Sequence, residues 1–387
     1  MPGDIVYVRQ GRHKLLGRGI VESGYSFDAN RETYNNIHRV KWTHRGQWEY
    51  PGKGTDIKAL TDISSFVDEV QKLEAIFAEE DTTEPEVEDS VQTYPAYTEE
   101  NFLQDVFMDA ARYKKLTELL KTKKNLILQG PPGVGKTYAA KHLAYSMMEE
   151  TDTRRVMMIQ FHQSYSYEDF ILGYRPSENG FVIQHGPFYE FCAKAQEDPD
   201  REYFFIIDEI NRGNLSKIFG ELLMLIETDK RGEKLRLLYS NELFSVPQNL
   251  YLIGMMNTAD RSLAMIDYAL RRRFAFFTLE PAFDSEGFQS ILTKADSPAF
   301  TALVGVVKEL NHAIADDSTL GAGFCIGHSY FCPRNEKNGV ELEQWLSSVV
   351  EYEIAPLLEE YWFDAPETAR EWADRLRGAL NDGALHG

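Results

Sequence analysis

Between Asn125 and Met147 the chain runs through a short apolar stretch, then Gly130-Pro131-Pro132-Gly133-Val134-Gly135-Lys136-Thr137, then a segment with Ala140, Leu143, Ala144 and Met147 on one helical face. The octet fits G-x-x-x-x-G-K-[ST], and a strand before it with a helix after it is the context that confirms the motif. Its glycines let successive backbone N–H groups turn inward around phosphate oxygens, and the helix N-terminus adds positive potential. Lys136 is expected on the β and γ phosphates and Thr137 on a Mg²⁺ ion, with Tyr138 next in the same nucleotide-binding segment.

Such a loop has to sit at the carboxyl edge of a parallel sheet, and the downstream pattern supplies one. Asn125–Gln129, Val156–Phe161, Tyr203–Ile207, Leu250–Met255 and Phe274–Leu279 are short apolar runs separated by helical segments, and each suits burial on both faces. Beyond Pro281, Leu303, Val306, Val307, Leu310 and Ile314 recur at helical spacing, so a helical subdomain is expected. The fold class is α/β.

Tyr203–Ile207 ends in Asp208-Glu209, which places both acids where ligands bind in open α/β sheets. Asp208 would hold Mg²⁺ through water, and Glu209 would polarise the attacking water. The following strand ends in Asn257-Thr258-Ala259-Asp260. Asn257 either orients the water from the side opposite Glu209 or caps a helix. Arg271-Arg272-Arg273 then enter an apolar strand, where three cations need anionic partners. A phosphate bound to a neighbouring subunit would be one.

With 41 Lys plus Arg against 61 Asp plus Glu, a net charge of −20 argues against coating nucleic acid by bulk charge. Local contact is another matter, because residues 1–60 hold ten basic residues against six acids and alternate like a small β-rich module. Residues 61–96 read as a helix and an acidic linker, 97–281 as the α/β core and 282–387 as the helical part. Seven acids fall between Glu79 and Asp89. Cys192, Cys325 and Cys332 are too few and too irregular for a disulfide framework or a four-ligand zinc site. No apolar run reaches 18 residues and the opening residues form no signal peptide, so a cytoplasmic protein without a membrane span is expected.

The phosphate loop, Asp208-Glu209-Ile210-Asn211-Arg212-Gly213-Asn214, Met256-Asn257-Thr258-Ala259-Asp260-Arg261-Ser262 and Tyr268–Phe274 together resemble the McrB type of AAA+ P-loop NTPase, the GTPase subunits of modified-cytosine restriction systems. The resemblance covers about Tyr97 to Trp362, and the Met-Asn-Thr-Ala-Asp-Arg-Ser run is its most specific part. It implies a five-stranded parallel sheet with a helical lid, a hexameric ring as homo-oligomer, and GTP as substrate, with ATP left open. Asn257 resembles the sensor residue, supported by Asp260. Arg272 and Arg273 resemble a trans-acting finger and its neighbouring sensor arginine, with Arg271 beside them and the assignment open by one position. Asn211 and Arg212 resemble subunit-interface residues. Lys234–Gln248 reads as a hairpin and resembles the one this AAA+ branch inserts before the sensor residue, and Gly180–Gln184 with Gly186–Phe188 resembles its second-helix insert. Gly321–Phe331 resembles its lid segment, in which His328 is either a weak site candidate or a packing histidine.

More weakly, residues 1–60 resemble the closing half of EVE or PUA-like modules that read modified bases. Arg39 and Lys41 would hold a DNA backbone and Trp42 and Trp48, with Tyr25 and Tyr50, would wall a flipped base, unless these are core aromatics of a small barrel. No endonuclease constellation accompanies them, so cleavage would belong to a McrC-like partner. An ATP-driven remodeller of protein complexes of the MoxR type and a nucleotide-dependent assembly scaffold are the alternatives.

Overall fold

The computed structural model describes residues 4–10, 14–22, 26–27, 36–37, 39–49, 70, 73, 76–77, 94–177, 180–260, 271–333 and 339–385, which divide into two compact units, 1–92 and 93–387. Tyr25, Tyr50, the acids between Glu79 and Asp89, and residues 261–270 lie outside the described residues.

In the first unit β1 (Ile5–Gln10), β2 (Lys14–Val21) and β3 (Val40–Glu49) form an antiparallel meander in that order. Leu15, Leu73 and Phe77 are buried together, with Tyr7, Trp48 and Ile76 packed against them. The partly buried Trp48 ring meets Phe77 edge-on at 5.1 Å, a contact of the kind the core-aromatic alternative calls for. Trp42 differs. Its ring lies over β2, where a Cβ on Gly19 would stand 3.1 Å from it, and the exposed Arg45 guanidinium reaches 5.8 Å from its centroid.

The second unit opens with α1 (Glu99–Val106) and α2 (Ala110–Lys123), then β4 (Asn125–Gly130), α3 (Lys136–Met148) and β5 (Val156–Gln160). A hairpin of β6 (Leu172–Ser177) and β7 (Gly180–His185) follows, then α4 (Pro187–Glu197), β8 (Tyr203–Asp208), β9 (Leu250–Asn257) and β10 (Ala275–Thr278). The sheet order is β10-β4-β9-β8-β5 and every pairing is parallel. Tyr203 to Ile207 and Leu250 to Ile253 are 0–3% exposed, and each such side chain contributes about 1.5–3 kcal/mol by leaving water. The edge strands depart from the expected burial on both faces. β5, at the edge of the sheet among the described residues, leaves Met158 half exposed.

Past β10 come α5 (Glu286–Ala295), α6 (Pro298–Asp316), α7 (Gly339–Val349), α8 (Ala355–Tyr361) and α9 (Pro366–Leu385), packed around Phe288, Phe300, Leu303, Leu346 and Leu358. Ser285 and Ser297 cap α5 and α6 by accepting from the backbones of Phe288 and Phe300, each at 3.2 Å. Among the described residues no helix is long and apolar enough to cross a membrane.

A buried cation ties the lower edge of the sheet together. Arg231, 3% exposed, donates to the Asn125 side-chain oxygen at 2.6 Å and to the carbonyls of Ile226 and Leu250, each at 3.1 Å. Burial pulls its guanidinium down to about 10. The Asn125 amide in turn donates to the carbonyls of Ile226 at 2.8 Å and Arg273 at 3.0 Å. Asn125→Leu keeps the volume but removes one acceptor from a buried cation, so the urea midpoint should fall by the equivalent of about 2–3 kcal/mol; an unchanged midpoint would contradict this account.

Candidate functional site

Parallel pairing brings the carboxyl ends of β4, β9 and β8 to one edge. Asn257 is in register with Gly130, and the Thr258 N–H donates to the Gly130 carbonyl at 3.1 Å. Gly133 and Gly135 both have φ of +74°, the left-handed region that lets the loop curl back toward the start of α3. Val134 anchors the loop in the core. Lys136 is largely enclosed, and its ammonium donates to the carbonyls of Gly130 at 3.0 Å and Pro131 at 2.8 Å. Burial pulls its pKa down to about 8, against the opposing pull of Glu209, Asp208 and Asp260. Tyr138, next along α3, is 49% exposed and stacks on His142 at 3.8 Å.

Glu209 sits at φ +50°, a conformation disfavoured for a residue with a Cβ and met where the surrounding structure over-determines it. Both of its carboxylate oxygens are engaged. Oε1 accepts from the Asn257 amide at 3.0 Å and Oε2 from Arg212 Nε at 3.0 Å. Arg212 also stands 3.7 Å from Asp260. Asp208 accepts from the Glu209 N–H at 3.0 Å. Asn257, Asp260, Arg212 and the acid pair are thus one cluster. Of the two expected interface residues, Asn211 is buried, and Arg212 bonds its own Glu209 while its side chain stays 45% exposed. Thr137 and Asp208 offer oxygen donors of the class Mg²⁺ takes alongside water, and they fit that ion.

The backbone after α6 closes on the phosphate loop. Gly327 N–H donates to Pro132 at 3.1 Å and Ser329 N–H to Gly133 at 2.8 Å, while Thr258 reaches the Gly323 carbonyl at 2.8 Å. A Cβ on Gly327 would lie 2.0 Å from the Gly133 carbonyl carbon, so no side chain fits there. His328 is a packing residue. Burial pulls it down to about 4, and Nδ1 accepts from the Ala282 N–H at 3.0 Å.

The arginines are at the other edge. Ala275 pairs with Leu126, so Arg273 lies level with Lys124, about 20 Å along the strand from Gly130 at 3.3 Å per residue. The Arg272 side chain is 71% exposed and that of Arg273 10%, and both approach Glu227 Oε1, at 3.8 and 2.7 Å. Arg271 is exposed beside them. Glu227 carries no sequence signal for this role, because 46 positions separate it from Arg273.

Two hairpins are neighbours. β6 pairs with β7, and Leu235–Arg236 with Leu243–Phe244. Tyr239 bonds Glu168 at 2.8 Å and meets the Tyr174 ring at 6.0 Å, leaving Phe181, Val182 and Leu238 exposed.

The model of an AAA domain (dynein-related subfamily) matches residues 125–274, and that of the McrB alpha-helical lid domain matches residues 302–370. The chain is 52% identical over 291 residues to the "Type IV methyl-directed restriction enzyme EcoKMcrB subunit" of Escherichia coli, covering 73% of this chain and 63% of that one. The chain belongs to the McrB-type AAA+ family. It is also 26% identical over 209 residues to the "Type II restriction enzyme BsuMI component YdiS" of Bacillus subtilis, covering 43% of this chain and 60% of that one. The chain therefore spans less than two thirds of the length of either relative. The part of the chain outside the McrB-type core and lid includes residues 1–66, which match a domain of unknown function.

Because the Lys136 ammonium begins to lose its proton near pH 8, affinity for a nucleoside triphosphate should be constant below that pH and weaken above it by roughly tenfold per unit. Titration with a fluorescent nucleotide between pH 6 and 10 checks this, and a flat profile would contradict it.

Proposed function

We propose that the chain is a Mg²⁺-dependent nucleoside triphosphatase that prefers GTP to ATP, works as a hexameric ring, and powers DNA translocation and restriction with a McrC-like endonuclease subunit. The observation that carries the shared-site part is the separation of the two halves of the machinery: Lys136, Asp208, Glu209 and Asn257 at one sheet edge, and the exposed Arg272 about 20 Å away at the other. An arginine so placed cannot reach its own chain's phosphates, but it can reach those of a neighbour across a head-to-tail ring contact.

In this proposal Lys136 and the loop N–H groups hold the β and γ phosphates. Glu209 polarises the attacking water, and Asn257 and Arg212 fix its carboxylate on either side. Thr137 and Asp208 would hold Mg²⁺, and that ion when bound would supply charge neutralisation at the phosphates. Arg272 of the adjacent protomer meets the charge developing on the transferred group. The preference for GTP rests on family membership. The methyl-directed restriction named for the Escherichia coli relative extends to this chain as part of the same proposal.

DNA contact is assigned to the first unit, where Arg39 and Lys41 are exposed and Arg45 lies over the Trp42 ring. Trp48, packed on Phe77, is left out of that surface.

Glu209→Gln should retain bound nucleotide while turnover falls about 10²- to 10⁴-fold, the range for loss of a positioned acid or base. Parallel assays of GTP and ATP hydrolysis by the purified assembly, with and without a McrC-like subunit, complete the test. Equal turnover of Glu209→Gln and wild type would overturn the catalytic assignment, and strict ATP use would overturn the GTP preference.

A further inference from the structure

At the lower sheet edge an open cleft of about 490 Å³ is lined by Lys123, Glu227, Thr228, Asp229, Arg272 and Arg273. We propose that Glu227 is a positioning residue of the shared hydrolytic site: it holds Arg273 against the sheet and turns Arg272 outward to the triphosphate of the neighbouring protomer. This role rests on the trans arrangement of the preceding subsection and extends it to a residue outside the phosphate loop and the arginine run.

Three observations converge on Glu227. One of its carboxylate oxygens serves both arginines, at 2.7 Å from Arg273 Nη2 and 3.8 Å from Arg272 Nη2. The exposures differ sharply, 10% for the Arg273 side chain against 71% for Arg272, so one arginine is retained and the other presented. The backbone carbonyls of Ile226, next to Glu227, and of Arg273 itself accept from the same Asn125 amide, which Arg231 braces from beneath. Acid and base are therefore mounted on one buried polar post. Thr228 adds a bond to the Lys123 carbonyl at 2.8 Å, closing the cleft floor.

The physical gain is pre-organisation. Two adjacent guanidinia repel one another, and a carboxylate between them removes that repulsion. A long arginine side chain otherwise loses rotamer freedom when it docks on phosphate, and an anchored base lessens that loss before the neighbour arrives. Glu227 does not touch the reacting atoms. Its effect passes through the arginines it orients.

The test uses mixed assemblies of the full chain. Glu227→Gln keeps the shape and removes the charge, and should lower kcat at least tenfold while the chain's own nucleotide affinity is unchanged. Lys136→Ala chains have a dead phosphate site but intact arginines. Mixed in equal amounts with Glu227→Gln, they should restore turnover toward about one quarter of wild type, the share of head-to-tail contacts that pairs a good site with good arginines. Arg272→Ala mixed with Lys136→Ala is the control. If the control is not rescued, the trans arrangement itself fails. If the control is rescued but Glu227→Gln turns over like wild type, or stays inactive in the mixture, the role of Glu227 is overturned. Should Glu227→Gln fail to assemble, Glu227→Asp, which withdraws the charge by one methylene, should give an intermediate rate and the same rescue; a wild-type rate would overturn the proposal.

Discussion

Strand polarity governs this molecule. Five parallel strands must all end at one edge, and the groups that follow them are forced together there: the loop after Gly130, the acids Asp208 and Glu209, and Asn257. The same polarity sends whatever precedes a strand to the far edge, which is where Arg271, Arg272 and Arg273 enter β10. A sheet built this way keeps the phosphate loop and the three arginines on opposite rims of one copy, about 20 Å apart along the strands.

Each rim is organised around an enclosed cation, and the two are handled differently. Lys136 is drawn down by burial but sits among Glu209, Asp208 and Asp260, whose charges favour its ammonium. Arg231, more deeply enclosed, is held by carbonyl and amide oxygens. A charge taken out of water costs several kcal/mol unless it is fully bonded, so both sites tolerate little change in their surroundings. At the upper rim the bonded partners are phosphate-loop carbonyls. At the lower rim they are the backbone on which Glu227 and Arg273 are mounted.

The lid is joined to the phosphate loop through main chain. Gly327 and Ser329 donate to Pro132 and Gly133, and no side chain intervenes at Gly327. The helical lid thus touches the loop by backbone hydrogen bonds that need no particular side chain. His328, neutral and bonded to Ala282, belongs to this junction as packing and not as chemistry.

Much of this was legible before any coordinates. Five apolar runs at the right spacing became the five parallel strands, because a strand buried between helices has no alternative but continuous apolar sequence. The phosphate loop, the acid pair at the end of Tyr203–Ile207 and the helices past Pro281 are likewise local: adjacent residues and short periods carry them. Contacts between distant positions were not legible. The pairing of Glu227 with Arg273, the bracing of Glu209 by both Asn257 and Arg212, the burial of Asn211 and the packing of Trp48 against Phe77 depend on which elements end side by side. Sequence alone determined the chemistry available and the order of the elements. Only the tertiary structure decided which side chains share a charge, because electrostatic and packing energies depend on separation in space and not along the chain.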